Sequence, residues 1–279
     1  MSKPPTQANA AGVSDASTGE RTAGPSAPST LGHVFGLVRS AIPRIHPGGR
    51  VVIAGVWGAT WLVRMALRAM GLRRLSRVAG RVSWLATAGS ALFFRMPTRV
   101  PPADDAAVVA PADGIVSLIT EAVPPAETGL GAAPRTRVSI FLSVLDVHVQ
   151  YAPVSGRVAA AHYHPGAFLS ADLDKASEVN ERNSLTITPH VGGDTLVVTQ
   201  IAGLIARRIV CDVGPGDNLA AGQVYGLIRF GSRLDVYLPA GAVPLVHLGQ
   251  RAVGGETVLA HLPARFPDQI PGPASGSAT

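Results

Sequence analysis

Hydrophobic and polar positions divide the chain into four stretches. Residues 1–32 show no apolar periodicity and are dominated by Ala, Ser, Thr, Pro and Gly. Such a stretch cannot bury enough surface to order itself, and it reads as a disordered tail. With no apolar core after a basic start, it is not a secretory signal peptide. Residues 33–100 hold two uncharged apolar runs, Val51–Val63 and Val82–Phe94, of 13 residues each. From 101 to 265 the pattern becomes short Val/Ile/Leu runs separated by Gly, Pro, Asp and Asn, which predicts many short strands. Only a stretch near 168–180 has a helical look, and residues 266–279 form a second disordered tail.

Between the two apolar runs lies "RMALRAMGLRRLSRVAGR", with Arg64, Arg68, Arg73, Arg74, Arg77 and Arg81. Thirteen helical residues rise about 20 Å, against roughly 30 Å for a hydrocarbon core. A spanning pair therefore needs its flanking arginines to snorkel. An interfacial or re-entrant hairpin, with the arginines among lipid phosphates, fits the spacing better. The competing reading is a pair of buried helices in a soluble domain. Trp57, Trp61 and Trp84 are the only tryptophans and fall where interface anchors would.

Composition supports a membrane partner. Charged residues are 15% of the 279, hydrophobic ones 47%, and the net charge is +6. The mean hydropathy is +0.27. Basic charge suits either nucleic acid or anionic lipid; the aromatic content of 5% and the lack of a base-stacking motif argue against nucleic acid. Cys211 is the only cysteine, so no internal disulfide and no thiolate metal cluster can form. It reads as a small buried hydrophobe, and no other spacing of His and Asp suggests a metal site.

A weak repeat marks the β-rich region. "APADGIV" (110–116) and "APVSGRV" (152–158) share a strand–turn–strand signature, and "VGPGDNLAAGQVYGLI" (213–228) adds glycine turns at Gly216 and Gly222. The fold class is thus mainly β, a many-stranded sandwich or barrel with lipoyl-like hairpins, preceded by an α-helical hydrophobic segment. A lipoyl-type carrier needs a lysine at a hairpin tip. Lys3 and Lys175 are the only lysines, and neither sits at one.

Candidate chemistry gathers in a few strings. "LIRFGSRLDVYLP" (227–239) is a strand-like run with Gly231–Ser232 at its centre, which marks either a bend or a reactive bond. "FLSVLDVHVQYAPVSG" (141–156) places Asp146 and His148 two apart in an apolar run, hence on one face of a strand. Asp113 stands at the turn in "PADG". "NERN" (180–183) and "QIAGLIARRIVC" (200–211) complete the set, with Arg182, Arg207 and Arg208 open to phosphate binding or to structural ion pairs.

Together "FLSVLDVHV", "APVSG", "NERN", "QIAGLIARRIV" and "IRFGSRLDVYLP" resemble the phosphatidylserine decarboxylase proenzymes in their short bacterial and archaeal form, over residues 45–262. The resemblance implies self-cleavage between Gly231 and Ser232 into fragments 1–231 and 232–279, which stay associated. It implies a covalent pyruvoyl group made from Ser232, the electron sink that no protein side chain supplies. His148 would then protonate the substrate α-carbon, and Asp113 matches an aspartate that orients a base for self-cleavage. Longer members carry a second histidine where this chain has Tyr151, so the self-cleavage base is either His148 itself or another residue such as His164. His162, His190 and His247 read as surface or structural. The implied partners are a phospholipid and the membrane surface, with the protein peripheral or monotopic on the cytoplasmic side of the cell membrane. The alternatives are the same chemistry on archaetidylserine and a non-catalytic, membrane-anchored lipoyl-like scaffold.

Overall fold

A computed structural model describes residues 43–168, 179–192, 194–203, 208–229 and 231–263. Both tails, most of the 168–180 stretch and Arg207 lie outside them. A short strand β1 (Arg44–Ile45) leads into helices α1 (Pro47–Ala69) and α2 (Arg73–Phe93), and β2 (Arg95–Met96) returns to pair with β1. The remaining strands are β3 (Ala107–Val109), β4 (Gly114–Ala122), β5 (Arg135–Leu142), β6 (Val149–Tyr151), β7 (Gly156–His164), β8 (Arg182–Pro189), β9 (Leu196–Ala202) and β10 (Ile209–Cys211). They are followed by β11 (Asn218–Leu219), β12 (Val224–Ile228), β13 (Ser232–Tyr237), β14 (Arg251–Ala252) and β15 (Val258–His261). The mainly β class and the preceding helical hydrophobic segment are as the pattern predicts.

Eight strands form one antiparallel sheet in the order β11-β7-β8-β9-β13-β5-β4-β14, and a three-stranded sheet β10-β12-β6 stands apart from it. The repeat seen in the sequence is structural. Gly114 opens β4 and Gly156 opens β7, and each strand slips register two residues later, after Val116 and Val158. A Cβ on Gly114 would run into the Phe141 carbonyl, and one on Gly156 into the Thr188 carbonyl. Neighbouring backbone comes too close for any side chain, which is why both turns carry glycine. Edge strands β14 and β11 pair with these two strands at the same glycines, Ala252 with Gly114 and Leu219 with Gly156. The sheet thus reads the same from either end, about an axis between its central pair β9 and β13.

Side chains such as Val116, Ile140, Val158, Leu185, Leu196, Val198, Leu234 and Val236 fill the main core. A second cluster joins the helices to the β6–β12 sheet through Phe93, Phe94, Val147, Val149, Tyr151 and Leu227. Gly49 is required there, because a Cβ would enter the Phe94 ring. His46 caps α1, its Nδ1 accepting from Gly48 N at 3.1 Å while its Nε2 meets Asp212 Oδ2 at 3.0 Å.

Beyond this base the hairpin turns its apolar residues outward. Trp57 is 56% exposed and Trp84 71% exposed. The two helices hold each other through Thr60 Oγ1 and Ser83 Oγ, 2.6 Å apart, and through Ser76 Oγ donating to the Arg64 carbonyl. The buried-helix reading is overturned by this exposure, since a contiguous apolar surface of this kind marks a membrane or partner face. α1 is also longer than its apolar run. Its 23 residues rise about 35 Å, and it is long and apolar enough to cross a membrane by length and composition, with none of its apolar window buried in the protein.

Gly114→Ala and Gly156→Ala should each cost about 2–3 kcal/mol in urea unfolding, through overpacking against a carbonyl. Gly89→Ala, at an open position in α2, should cost nothing, because helix propensity favours alanine there.

Candidate active site

The run 227–239 is not one strand with a bend in it. β12 ends at Ile228 in the three-stranded sheet, and β13 begins at Ser232 in the middle of the eight-stranded one. The chain changes sheets between them, and Gly231 takes φ +64° to make the crossing. This left-handed conformation suits glycine. Among the described residues, apart from its chain neighbours, nothing lies within 4 Å of where its Cβ would be, so the backbone of the Gly231–Ser232 bond has room on that side. Ser232 itself is fixed: it pairs with Leu142 on β5 and Ala202 on β9 and is fully buried. Its Oγ has no hydrogen-bond partner among the described residues. A buried hydroxyl left unbonded is costly, which makes it a candidate for chemistry.

His148 stands next to that bond. Its Nε2 accepts from the Gly231 amide at 3.3 Å, and its Nδ1 lies 2.8 Å from the Asp146 carbonyl. A carbonyl only accepts, so Nδ1 carries the proton and Nε2 keeps its lone pair toward Gly231. The imidazole is fully buried, with its ring centroid 3.9 Å from that of Phe93 at the end of α2. Burial pushes its pKa down from 6.5 to about 4, with the nearby Asp146 carbonyl and charge opposing the shift and Arg95 adding to it. The expected Asp146–His148 strand face is corrected here. Residues 143–148 form a turn between β5 and β6, and Asp146 reaches His148 by its backbone. The Asp146 carboxylate closes the turn, accepting from Ser143 N at 2.8 Å and pairing with Arg251. Burial works to raise its pKa, but these two partners outweigh burial and hold it below the usual carboxylate range.

A chain of buried amides leads from the large sheet to the same histidine. Asn183 Nδ2 donates to Gln200 Oε1 at 2.9 Å, and Gln200 Nε2 donates to Gln150 Oε1 at 3.0 Å. Gln150 Nε2 then donates to the His148 carbonyl at 2.7 Å. Every bond runs in one direction, so the amide orientations are mutually fixed.

The other predicted residues are placed less centrally. Asp113 lies at the same end of the sheet as Ser232, two strands away: Gly114 is level with Leu142, which pairs with Ser232. Its carboxylate is held by Arg99 at 2.7–2.8 Å and by Gly254 N at 2.8 Å. The same guanidinium donates to the Tyr151 hydroxyl at 3.4 Å and packs over that ring. Arg99 therefore bridges Asp113 to Tyr151. His164 is exposed and sits three strands from Arg233, through Arg182 and Ile201. That is about 14 Å across the sheet, beyond hydrogen-bonding reach of Ser232. Arg182 forms a structural pair with Glu127, at 2.7 and 3.1 Å. Arg208 is exposed and its carbonyl accepts from Arg229 N.

Pattern reading missed Phe93, Arg95, Arg99, Gln150 and Gln200. Beside Phe93 a cavity of about 410 Å³ opens between the end of α2 and the His148 turn, lined by Leu92, Phe93, Arg95, Val144 and Leu145. Arg95 crosses it, donating to the carbonyls of Leu92 at 2.6 Å and Leu145 at 3.2 Å. The signal in the sequence was slight: Phe93 is the last residue but one of an apolar run, and a lone arginine follows the run.

Residues 88–260 match the phosphatidylserine decarboxylase family. A phosphatidylserine decarboxylase proenzyme of Mycobacterium marinum is 53% identical over 250 residues, covering 90% of this chain and 97% of that protein. The proenzymes of Mycobacterium bovis and Saccharopolyspora erythraea are 56% and 54% identical, covering 82% and 84% of this chain and 94% and 95% of their own. The chain belongs to the phosphatidylserine decarboxylase family. Members of this family are carboxy-lyases that act on phosphatidylserine, and these relatives are named as proenzymes, which implies processing. The cavity beside Phe93 combines apolar walls with one cation, Arg95.

Gln200→Leu should lower stability by about 2 kcal/mol, because it strands the amides of Asn183 and Gln150 in the interior; urea unfolding measures this. In uncut protein carrying Ser232→Ala, the His148 contribution to stability should be fully present above pH 6.5. It should be lost as pH falls toward 4, because the unfolded chain takes up the proton first. Thermal melts at successive pH values should show this component, and His148→Asn in the same background should lack it.

Proposed function

We propose that this protein cuts itself between Gly231 and Ser232 and then decarboxylates phosphatidylserine to phosphatidylethanolamine at the membrane surface. The observation that carries this reading is the neutral His148, whose Nε2 lone pair is turned to the Gly231 amide at 3.3 Å, together with a buried Ser232 hydroxyl that has no partner among the described residues. For self-cleavage, Ser232 Oγ bonds to the Gly231 carbonyl carbon as its proton passes to His148 Nε2, which exchanges its weak amide contact for the hydroxyl. The C–N bond breaks, the proton goes to the Ser232 nitrogen, and an ester joins the two residues. Loss of the residue-232 α-proton then releases Gly231 as a carboxylate and leaves dehydroalanine, which takes up water and frees ammonia. His148 is the base this reading uses, because it contacts the Gly231 amide, whereas His164 stands three strands away.

Ser232 fits the pyruvoyl group that this sequence of steps would yield, since it heads a strand and is enclosed on both sides. That group supplies the electron sink for decarboxylation. Phe93 and the amide chain hold the His148 imidazole where a proton can be delivered to the α-carbon. Arg95 and the cavity walls would receive the phosphodiester and the start of the acyl chains. Asp113 would act through Arg99 and Tyr151, holding the end of the sheet where Ser232 lies. Arg207 and Arg208 remain candidates for contact with the head group. Fragments 1–231 and 232–279 would stay joined, because β13 is bonded to β9 on one side and β5 on the other.

The hairpin supports attachment to a membrane. Between Arg21 and Ala103 the sequence holds twelve arginines and neither Asp nor Glu. Arg64, Arg77 and Arg81 share a cavity of about 500 Å³ with Trp84. Guanidinium groups without carboxylates suit lipid phosphates, and the exposed indoles suit the layer just beneath them. So basic a segment resists translocation, which supports a position on the cytoplasmic side.

Ser232→Ala should remain a single 28.7 kDa chain without decarboxylase activity, read by intact mass and by release of carbon dioxide. Normal fragments from that variant would refute the cleavage site. His148→Ala should slow both self-cleavage and turnover at least 100-fold; full cleavage at the normal rate would assign the base elsewhere. Replacing Trp57 and Trp84 by Glu should reduce co-flotation with vesicles. Salt should weaken the binding of the unaltered protein only in part, because it screens the basic component and not the apolar one.

A further inference from the structure

His148 is asked to do two opposed things. Self-cleavage needs its lone pair, whereas decarboxylation needs a proton on the same nitrogen. Before the cut, the surroundings favour the neutral ring. Asp146, two residues away on the β5–β6 turn, has its carboxylate engaged by Arg251 of β14 and by Ser143 N. From β2 the charge of Arg95 opposes protonation, and α2 presents only the Phe93 ring. The neighbour across Nε2 is a neutral amide, Gly231 N–H.

Self-cleavage changes that neighbour and replaces the Ser232 hydroxyl and amide by an uncharged ketone, so the only new charge is on Gly231. It turns Gly231 into a chain terminus, and the carbonyl that was part of the peptide bond becomes a carboxylate. By standard backbone geometry that carbon lies about 2.5 Å from the Gly231 nitrogen, so it falls within roughly 6 Å of His148 Nε2. Gly231 also has room to turn, since among the described residues no atom beyond its chain neighbours lies within 4 Å of its missing Cβ position.

Resting on the self-cleavage reading above, we propose that the carboxylate left on Gly231 becomes a working part of the decarboxylation site and holds the His148 imidazolium. One negative charge is gained at the terminus, and one proton is taken from solvent onto Nε2, so the buried pair is neutral overall. When carbon dioxide leaves the substrate, Nε2 gives this proton to the α-carbon. The ring returns to its neutral form and is recharged from water, so each turnover consumes one proton. The same cut therefore makes the electron sink and converts the base into the acid. An opposite charge at this separation favours the charged form of a histidine by about one to three pH units.

The test follows the His148 ring by NMR with labelled histidine in three samples of the full-length protein. These are uncut Ser232→Ala, self-cleaved wild type, and self-cleaved protein treated with borohydride, which reduces the ketone and leaves the Gly231 carboxylate intact. The titration midpoint of His148 should rise by at least one unit from the first sample to the second and stay raised in the third. Equal midpoints in the first two samples would overturn the proposal. A rise that disappears on reduction would overturn it as well, by assigning the effect to the ketone. Intact mass on the same samples reports separately whether the chain is cut before residue 232, so failure of the cleavage reading is told apart from failure of this one.

Discussion

The tautomer of one buried imidazole governs the rest of this reaction centre. The Asp146 carbonyl takes the Nδ1 proton of His148, so the second nitrogen can only accept, and it accepts from Gly231. Everything around the ring enforces that arrangement. The Asp146 carboxylate closes the turn that aims the carbonyl, the amides of Asn183, Gln200 and Gln150 fix the His148 backbone, and Phe93 covers the ring. The last contact also ties the chemistry to the membrane hairpin, since Phe93 is the final residue of α2. Motion of the hairpin against the body would be felt first at the histidine.

Much of this was legible from residue order, and the limits have physical causes. The strand-rich class, the paired glycine turns and the hairpin follow from local periodicity and from the need for glycine where backbones touch. The Gly231–Ser232 bond stood out because glycine is a poor strand residue. Its true setting did not, because the alternation of Ile228, Leu234, Val236 and Leu238 continues unbroken across a change of sheet. Asp146 and His148 obey a two-residue spacing that a strand and a tight turn share, so spacing alone put the wrong group of Asp146 next to the imidazole. Arg99 is 14 positions from Asp113 and 52 from Tyr151, and no local pattern announces a pairing made by tertiary contact.

The pseudo-symmetry of the large sheet explains where the reactive bond can sit. β9 and β13 form the central pair, so each is buried on both faces and hydrogen-bonded along both edges. A backbone held so completely can lose one covalent bond at its end and keep its register. An edge strand such as β11 or β14, of two residues each, could not.

That central position has a consequence for how the protein ages. Before the cut, unfolding and refolding concern one chain and do not depend on concentration. On the proposed cut, β13 would belong to a separate 48-residue piece that also carries β14 and β15, so global unfolding would become dissociation and recovery a second-order encounter. The short piece must find the gap between β9 and β5 again while both partners expose core strands, and dilute or heated samples will aggregate first. On that reading, the lifetime of the two-piece protein would rest on how slowly β13 leaves the gap between β9 and β5.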